Sequence, residues 1–403
     1  MNYSIQKILF LLVVLFSLIA AIPAKSETEI VDRSFSAESG GNLTIESDQG
    51  SIKVVTWDKH KVEVVVEKKA RKQKQLYGFK ANFNQKGNDI YVEGDGDRNN
   101  RVSVKFIIKV PQEFNLDLKT GGGSIEVSDI RGEVKVKTSG GNIRIGDVIQ
   151  GNVEARTSGG NINVGDVDGY LKVDTSGGNI RLGKINGKSL IDTSGGNITL
   201  REGGSDVKAE TSGGSIKIGP VKGKVDVDTS GGSIQIGMAD DDVAAKTSGG
   251  SINVDGSKGS VNIDSSGGNL FVGSSGAPVK AKTSGGNIKI LQARGFIEAD
   301  TSGGYIEAEM IIDDKNADTH VNLDSSGGSI TLHIPESLAA SVSATLKITR
   351  SAKRDYRIYS DFPLTIKGEN SRKITAKGDI NDGGDKIKLS TTNGDIHIKM
   401  LKE

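Results

Sequence analysis

Seven aspartates, four histidines and one basic run are the residues in this chain that could carry chemistry. The candidate acids are Asp166 and Asp168, then Asp240, Asp241 and Asp242, then Asp313 and Asp314. Two carboxyl groups facing each other across a sugar linkage can hydrolyse it, one as acid and the other as base or nucleophile. These acids fall at different phases of a repeat and in turn-type sequence, where aspartate is common because its side chain bonds nearby backbone. Sites that process sugars also stack aromatic rings on the substrate. Only Tyr170, Phe271, Phe296 and Tyr305 lie among the repeats, with no regular spacing. His60, His320, His333 and His397 are scattered, without the paired spacing of a zinc site. The calcium-binding phrase Gly-Gly-x-Gly-x-Asp is absent, and a weak calcium at Asp240–Asp242 is the nearest approach to one. The expectation is no catalytic residue, no metal and no cofactor. The dense basic run, Lys68, Lys69, Arg71, Lys72 and Lys74, is a possible contact for an anionic surface, although such runs are more often solvated loops.

These residues are positioned by a repeat. The phrase Thr-Ser-Gly-Gly-Asn/Ser-Ile recurs twelve times, starting at Thr120, Thr138, Thr157, Thr175, Thr193, Thr211, Thr229, Thr247, Ser265, Thr283, Thr301 and Ser325. Nine of the eleven intervals are 18 residues, one is 19 and one is 24. A fixed short period over this length means stacked units, each too small to fold alone. With the threonine at zero, apolar residues recur at +5 and +7, often at +10, and at +14 and +16. Spacing of two within a pair gives a strand with alternate side chains inward, so each repeat holds two short strands. The fold expected is all-β: a single-stranded parallel β-solenoid of about 18 residues per coil, with β caps at both ends and right-handed winding. A hexapeptide helix also has coils near this length, but its one apolar position in six does not match the spacing. Twelve coils at about 4.8 Å each make a rod of about 55–60 Å.

Like positions then stack on like. Asn142, Asn161, Asn179 and Asn197 line up at +4, followed by Ser215, Ser233 and Ser251, and their side chains are expected to hold turns by bonding from coil to coil. The paired glycines, Gly213 and Gly214 in one copy, are expected to supply a positive φ at the turn. Outward positions mix Lys, Arg, Asp, Glu and Asn, so no one-sided charged groove is expected.

The flanks divide the chain. Lys7, the apolar run 8–22 and Pro23-Ala24 read as a secretion signal over 1–24, too short in its apolar run to span a bilayer. Residues 25–118 read as an N-terminal β cap with irregular coils, 119–334 as the solenoid repeats and 335–403 as a C-terminal β cap. The insertion 313–318 is a loop on one face. Without residues 1–24, which hold only Lys7, the chain carries 51 basic and 51 acidic residues from totals of 52 and 51. That balance offers no argument for nucleic acid. The lack of cysteine removes disulfides, thiolate sites and lipidation.

Trp57-Asp58 after an early Gly-Ser-Ile-x-Val, Val110-Pro111 before the first regular coil, the serial Gly-Gly-Asn/Ser-Ile coils and the closing Asn-Gly-Asp-Ile together resemble the bacterial "putative adhesin" domain family of unknown function, over about 35–399. The resemblance implies an exported β-solenoid of the cell envelope and transfers no catalytic or ligand residue. The function expected is a non-enzymatic structural or adhesive module whose partner is a glycan or an envelope or surface protein, with no nucleic acid and no transmembrane segment after signal cleavage. The alternative is a periplasmic accessory or envelope-stress protein acting on a membrane partner. A polysaccharide-active β-helix enzyme stands third.

Overall fold

The structure is a computed structural model that describes residues 26–96, 101–313, 317–352 and 355–401. The signal expected at 1–24 lies outside them, as do Asp314 and the two residues after it. The fold is an all-β parallel solenoid, with one short helix, Gln73–Leu76, in the N-terminal region.

The Thr211 coil shows how the sequence builds a turn of the rod. Ile216–Ile218 forms one strand and Val225–Thr229 the other. Ile216 lies between Ile198 and Ile234, and Val225 between Val207 and Val243, in parallel register. Ile216, Ile218, Val221, Val225 and Val227 are each at most 2% exposed. Burying a branched aliphatic side chain of this size contributes about 1.5–3 kcal/mol. A coil with five such residues has no second layer of its own, so its stability comes from the coils above and below. One face of the rod is therefore a sheet of five-residue strands at +14 to +18, here the long-strand sheet. A second face is a sheet of mostly three- to six-residue strands beginning at +5, here the short-strand sheet.

The two-strand reading of each coil requires an addition. The +10 residues make a third parallel ladder one or two residues wide, running Val148, Val167, Ile185 and then Gly203, Val221, Ala239. Its physical cause is closure of the core: +10 is buried between the two sheets, as Val148, Val167, Ile185 and Val221 show.

Coils do not stack in chain order at the ends. At the N-terminal end, Gly41–Ser47 pairs with Phe114–Thr120 on one side and with Asp89–Gly96 on the other. Ser51–Trp57 likewise sits between Ile125–Val127 and Ser103–Pro111. The first coil in sequence is thus the second in space, and the segment that follows it wraps outside. The C-terminal end does the same in reverse. Asp385–Thr392 and Ile396–Met400 lie between the coil at 321–334 and an outer coil made by Ala340–Lys347 and Ile358–Ser360. The phrase Asn393-Gly394-Asp395-Ile396 is therefore a regular coil, with Ile396 on Ile330.

Antiparallel strands cover most of the outer edges. Lys61–Ala70 and then Glu27–Ser36 extend one sheet, and Phe79–Lys86 the other. Lys373–Ile380 runs antiparallel to Ala340–Lys347 at the far end. These strands cover the edges of the parallel coils, and the outermost of them, Glu27–Ser36, carries Glu27, Glu29, Asp32 and Arg33, charges that discourage pairing with further chains. The aromatics concentrate here for a related reason. Phe79, Phe106 and Phe114 are almost wholly buried, and Phe79 meets Phe106 edge-on with centroids 6.1 Å apart.

Candidate binding face

The geometry of any surface on this rod is set by its turns. The threonine at position zero points inward, at the edge of the core. Thr211 Oγ1 donates to the Gly196 carbonyl of the preceding coil at 2.9 Å and accepts from Gly214 N–H in its own coil at 3.3 Å. The same bond to the preceding coil recurs from Thr138 to Thr301, with Ser265 and Ser325 substituting the same hydroxyl. Next to it, the +4 side chains cap the backbone of the following coil. Asn142 Oδ1 accepts from Asn161 N–H, Asn161 Oδ1 from Asn179 N–H, and Asn179 Oδ1 from Asn197 N–H, each at 2.8 Å. Asn197 continues the series to Ser215 N–H at 2.7 Å. The ladder is thus chiefly side chain to backbone, with one amide-to-amide rung, Asn179 to Asn161 at 3.4 Å.

The expected role of the paired glycines is corrected. Neither Gly213 nor Gly214 has a positive φ, and among the second glycines of the twelve copies only Gly123 does, at 140°. What excludes a side chain is the next coil. A Cβ on Gly214 would lie 1.9 Å from the Gly196 carbonyl oxygen, whereas one on exposed Gly213 would find its nearest neighbour at 3.3 Å. The second glycine allows close backbone approach, and the first has space.

With the coils locked this way, outward side chains form straight columns one coil apart. The +17 column of the long-strand sheet reads Lys119, Lys137, Arg156, then Asp174, Asp192, Glu210, Asp228, then Lys246. The expectation of no one-sided charge is thus too coarse: three cations are followed by four carboxylates. Arg156 meets Asp174 at 3.3 Å where the blocks touch, and Glu210 binds Lys208 of the neighbouring column at 2.8 Å. Partial burial pushes the Asp192 carboxyl above the usual carboxylate range, and the charges of Asp174 and Glu210 on either side push it further. On the other face, Arg144, Arg181 and Lys217 alternate with Asn163, Thr199 and Gln235.

Comparison with known proteins places the chain. The profile described as Toastrack DUF4097 matches residues 41–291, more than half of it. The chain belongs to the Toastrack DUF4097 family. Two solved structures cover nearly all of the Toastrack chain. One is described as a putative cell adhesion protein from Clostridium sporogenes, at 11% identity over 94% of this chain and 100% of that one, with a TM-score of 0.16. The other is described as a putative adhesin from Bacteroides fragilis, at 10% identity over 93% and 97%, with a TM-score of 0.17. The superpositions are too loose for either protein's role to pass to this chain. No curated protein matches it.

The Toastrack coils hold the candidate acids in paired positions. Asp166 accepts from Lys184 N–H at 2.9 Å and from Arg201 at 2.7 Å, and these contacts hold its carboxyl below the ordinary range. Asp168 bonds Gln150 N–H and Asn186, each at 3.1 Å. Asp242 is lowered by the backbone and hydroxyl of Ser260, with Lys224 adding to it. Asp240 meets Lys258 at 2.7 Å, and Asp313 meets Arg294. Each is tied to another coil, and the three groups lie apart. Among the described residues no three His, Asp or Glu side chains are grouped to hold a metal ion. No helix there is long and apolar enough to cross a membrane.

The basic run does not form one patch. Lys68 leaves the surface set: it is buried, 2.8 Å from Glu29 and 3.3 Å from the Phe79 carbonyl, because strand alternation turns it inward. Lys69 is outward and paired with Glu67, while Arg71 and Lys72 precede the short helix and Lys74 lies within it. His320 draws more of the rod's chemistry than sequence reading assigned to it. Its Nδ1 is 2.7 Å from Asp318, its Nε2 is 3.7 Å from Glu298, and its ring stacks on Phe296 at 4.5 Å. Both ring nitrogens face a carboxylate, so neither is open to a substrate. The charge blocks and the His320 cluster were both missed. The blocks could have been found by reading every eighteenth residue as a column rather than pooling outward positions.

Proposed function

We propose that this Toastrack chain is an exported, non-enzymatic binding module of the bacterial cell envelope, presenting its outer columns to a glycan or to an envelope or surface protein. The observation that carries the reading is the fixed pitch of exposed polar and charged side chains, held by hydroxyl, amide and backbone bonds from coil to coil. Preorganised side chains lose little entropy on binding. A repeating partner engages many of them, so modest contacts multiply along the rod. Five of the acids that could have served hydrolysis, Asp166, Asp168, Asp240, Asp242 and Asp313, are instead bound to neighbouring coils.

The test has two parts. Protease added to intact cells should remove the protein while a periplasmic marker survives. Immobilised envelope polysaccharide should retain the purified chain, and retention should fall when a whole coil is deleted. Protection from protease, with release only on outer-membrane disruption, would overturn surface presentation in favour of a periplasmic accessory role. Turnover of a glycan by the chain would overturn the non-enzymatic reading.

A further inference from the structure

We propose that the long-strand face is a self-association surface on which a second copy of this chain docks antiparallel, the cationic block of each copy facing the acidic block of the other. Such a contact is independent of the ligand proposed above. Its basis is the order of the +17 column, three cations followed by four carboxylates with the boundary between Arg156 and Asp174.

Two rods face to face, related by a two-fold axis along the strands at that boundary, keep each column opposite itself and reverse the coil order. Arg156 then faces Asp174, Lys137 faces Asp192 and Lys119 faces Glu210. The +15 column obeys the same operation without having been used to choose it. Glu154 faces Lys172, and Asp117 faces Lys208. Lys135 meets Leu190, whose side chain is exposed and can pack on the lysine stem. The run ends at one like pair, Glu46 opposite Asp228, beyond which Glu93 faces Lys246. Such self-complementarity is what an isologous two-fold contact requires. The parallel alternative fits less well on the same residues: over these six coils it makes four opposite-charge pairs and sets Lys135 against Lys137, whereas the antiparallel one makes five and no like pair.

Neither Lys137 nor Asp192 has an ion-pair partner among the described residues, so both are available to a second molecule. A polyanion is the poorer fit, since it would run from three cations onto four carboxylates. Six coils at about 4.8 Å each give a contact about 30 Å long. A contact of that length, two side chains wide, belongs to the weak class of interfaces. Its charge pairs are screened as salt rises.

The experiment is sedimentation velocity on the purified chain over a concentration series, at low and high salt, with Lys137→Glu and Asp192→Lys. The wild type should dimerise at low salt and dissociate at high salt. Each variant should weaken dimerisation about tenfold or more, because the symmetry places every altered pair twice in the contact. The two variants mixed should recover the dimer. Each heterodimer then sets the introduced glutamate of one copy opposite the introduced lysine of the other, and keeps the remaining Lys137 opposite the remaining Asp192. No contact within one chain can give that rescue, as these positions are three coils apart. Monomer at every concentration in low salt would overturn the proposal, including the case in which heparin is retained by the same cationic block. A wild-type dimer with no recovery in the mixture would overturn it equally.

Discussion

Replacing Gly214 with alanine, against Gly213 with alanine, is the sharpest test of how the coils are held. The new Cβ at 214 would stand 1.9 Å from the Gly196 oxygen and 2.7 Å from Asn197 nitrogen, both backbone atoms that cannot rotate away. To reach ordinary contact near 3.4 Å, one coil must retreat from the next. The retreat strains the bond from Ser215 N–H to Asn197 at 2.7 Å and the bond from Thr211 to the Gly196 carbonyl at 2.9 Å. Overpacking costs about 1–3 kcal/mol, and two weakened hydrogen bonds add about 0.5–1.5 kcal/mol each. The expected loss is therefore about 2–6 kcal/mol. At Gly213 the nearest atom is 3.3 Å away and the site is exposed. Alanine there should change stability by less than about 1 kcal/mol, partly offset by a less flexible unfolded chain. Urea unfolding followed by circular dichroism measures both variants. Because repeat arrays need not unfold in one step, the comparison rests on the shift of the first transition. Equal shifts for the two variants would refute close approach as the reason for the second glycine.

Four further outcomes are expected. Thr211→Val should lower stability by about 1–3 kcal/mol by leaving a carbonyl and an N–H without their partner, while Thr211→Ser keeps most of it, as Ser265 does naturally; thermal melts separate the two. Ser189 lies in the core between Leu171 and Val207 with its hydroxyl unpartnered, so Ser189→Val should raise the urea midpoint by the equivalent of about 1 kcal/mol or more. Deleting 211–228, one full period, should leave a folded, shorter rod by small-angle scattering, and an unfolded product would argue against one coil per period. Burial beneath Tyr359 lowers the His397 pKa below its ordinary 6.5, with Lys399 adding to this and Asp395 opposing it. The neutral ring is favoured in the fold, so its contribution is fully present above pH 6.5 and is lost as pH falls through the folded value. His397→Gln should flatten stability against pH in that window, measured by urea midpoints.

Much of the fold could be read in advance because the period repeats local physics. The apolar pairs at +5/+7 and +14/+16 state which side chains face inward, and Ile216 and Val225 lie where that pattern puts them. The one-residue ladder at Val221 was visible only as an apolar position, since a single rung has no alternation to reveal it. The glycine pairs invited a dihedral explanation because a lone coil shows only its own backbone. The contact that matters for Gly214 belongs to the coil eighteen residues earlier. The crossing of coils at the ends was illegible for a similar reason: residues 41–57 look like a coil, but no local feature states that 89–111 lies outside them. The face was half legible. Lys137 and Asp192 are ordinary outward residues until parallel register turns them into members of one column.

The crossing at the ends governs how the rod answers a pull. In a solenoid stacked in chain order, tension on the last strand peels the outermost coil away one rung at a time. Here the chain reaching Met400 leaves a coil whose Ile396 is bonded to Ile330 on one side and Ile358 on the other. Drawing that coil out requires both ladders to shear together, and the outer coil cannot be unwound first from that direction. The coil at 41–57 is clamped in the same manner. Once the edge strand Glu27–Ser36, bonded on one side only, has peeled, the coils at both ends are latched against unravelling, and stiffness under tension comes from topology as well as from the strength of any single contact.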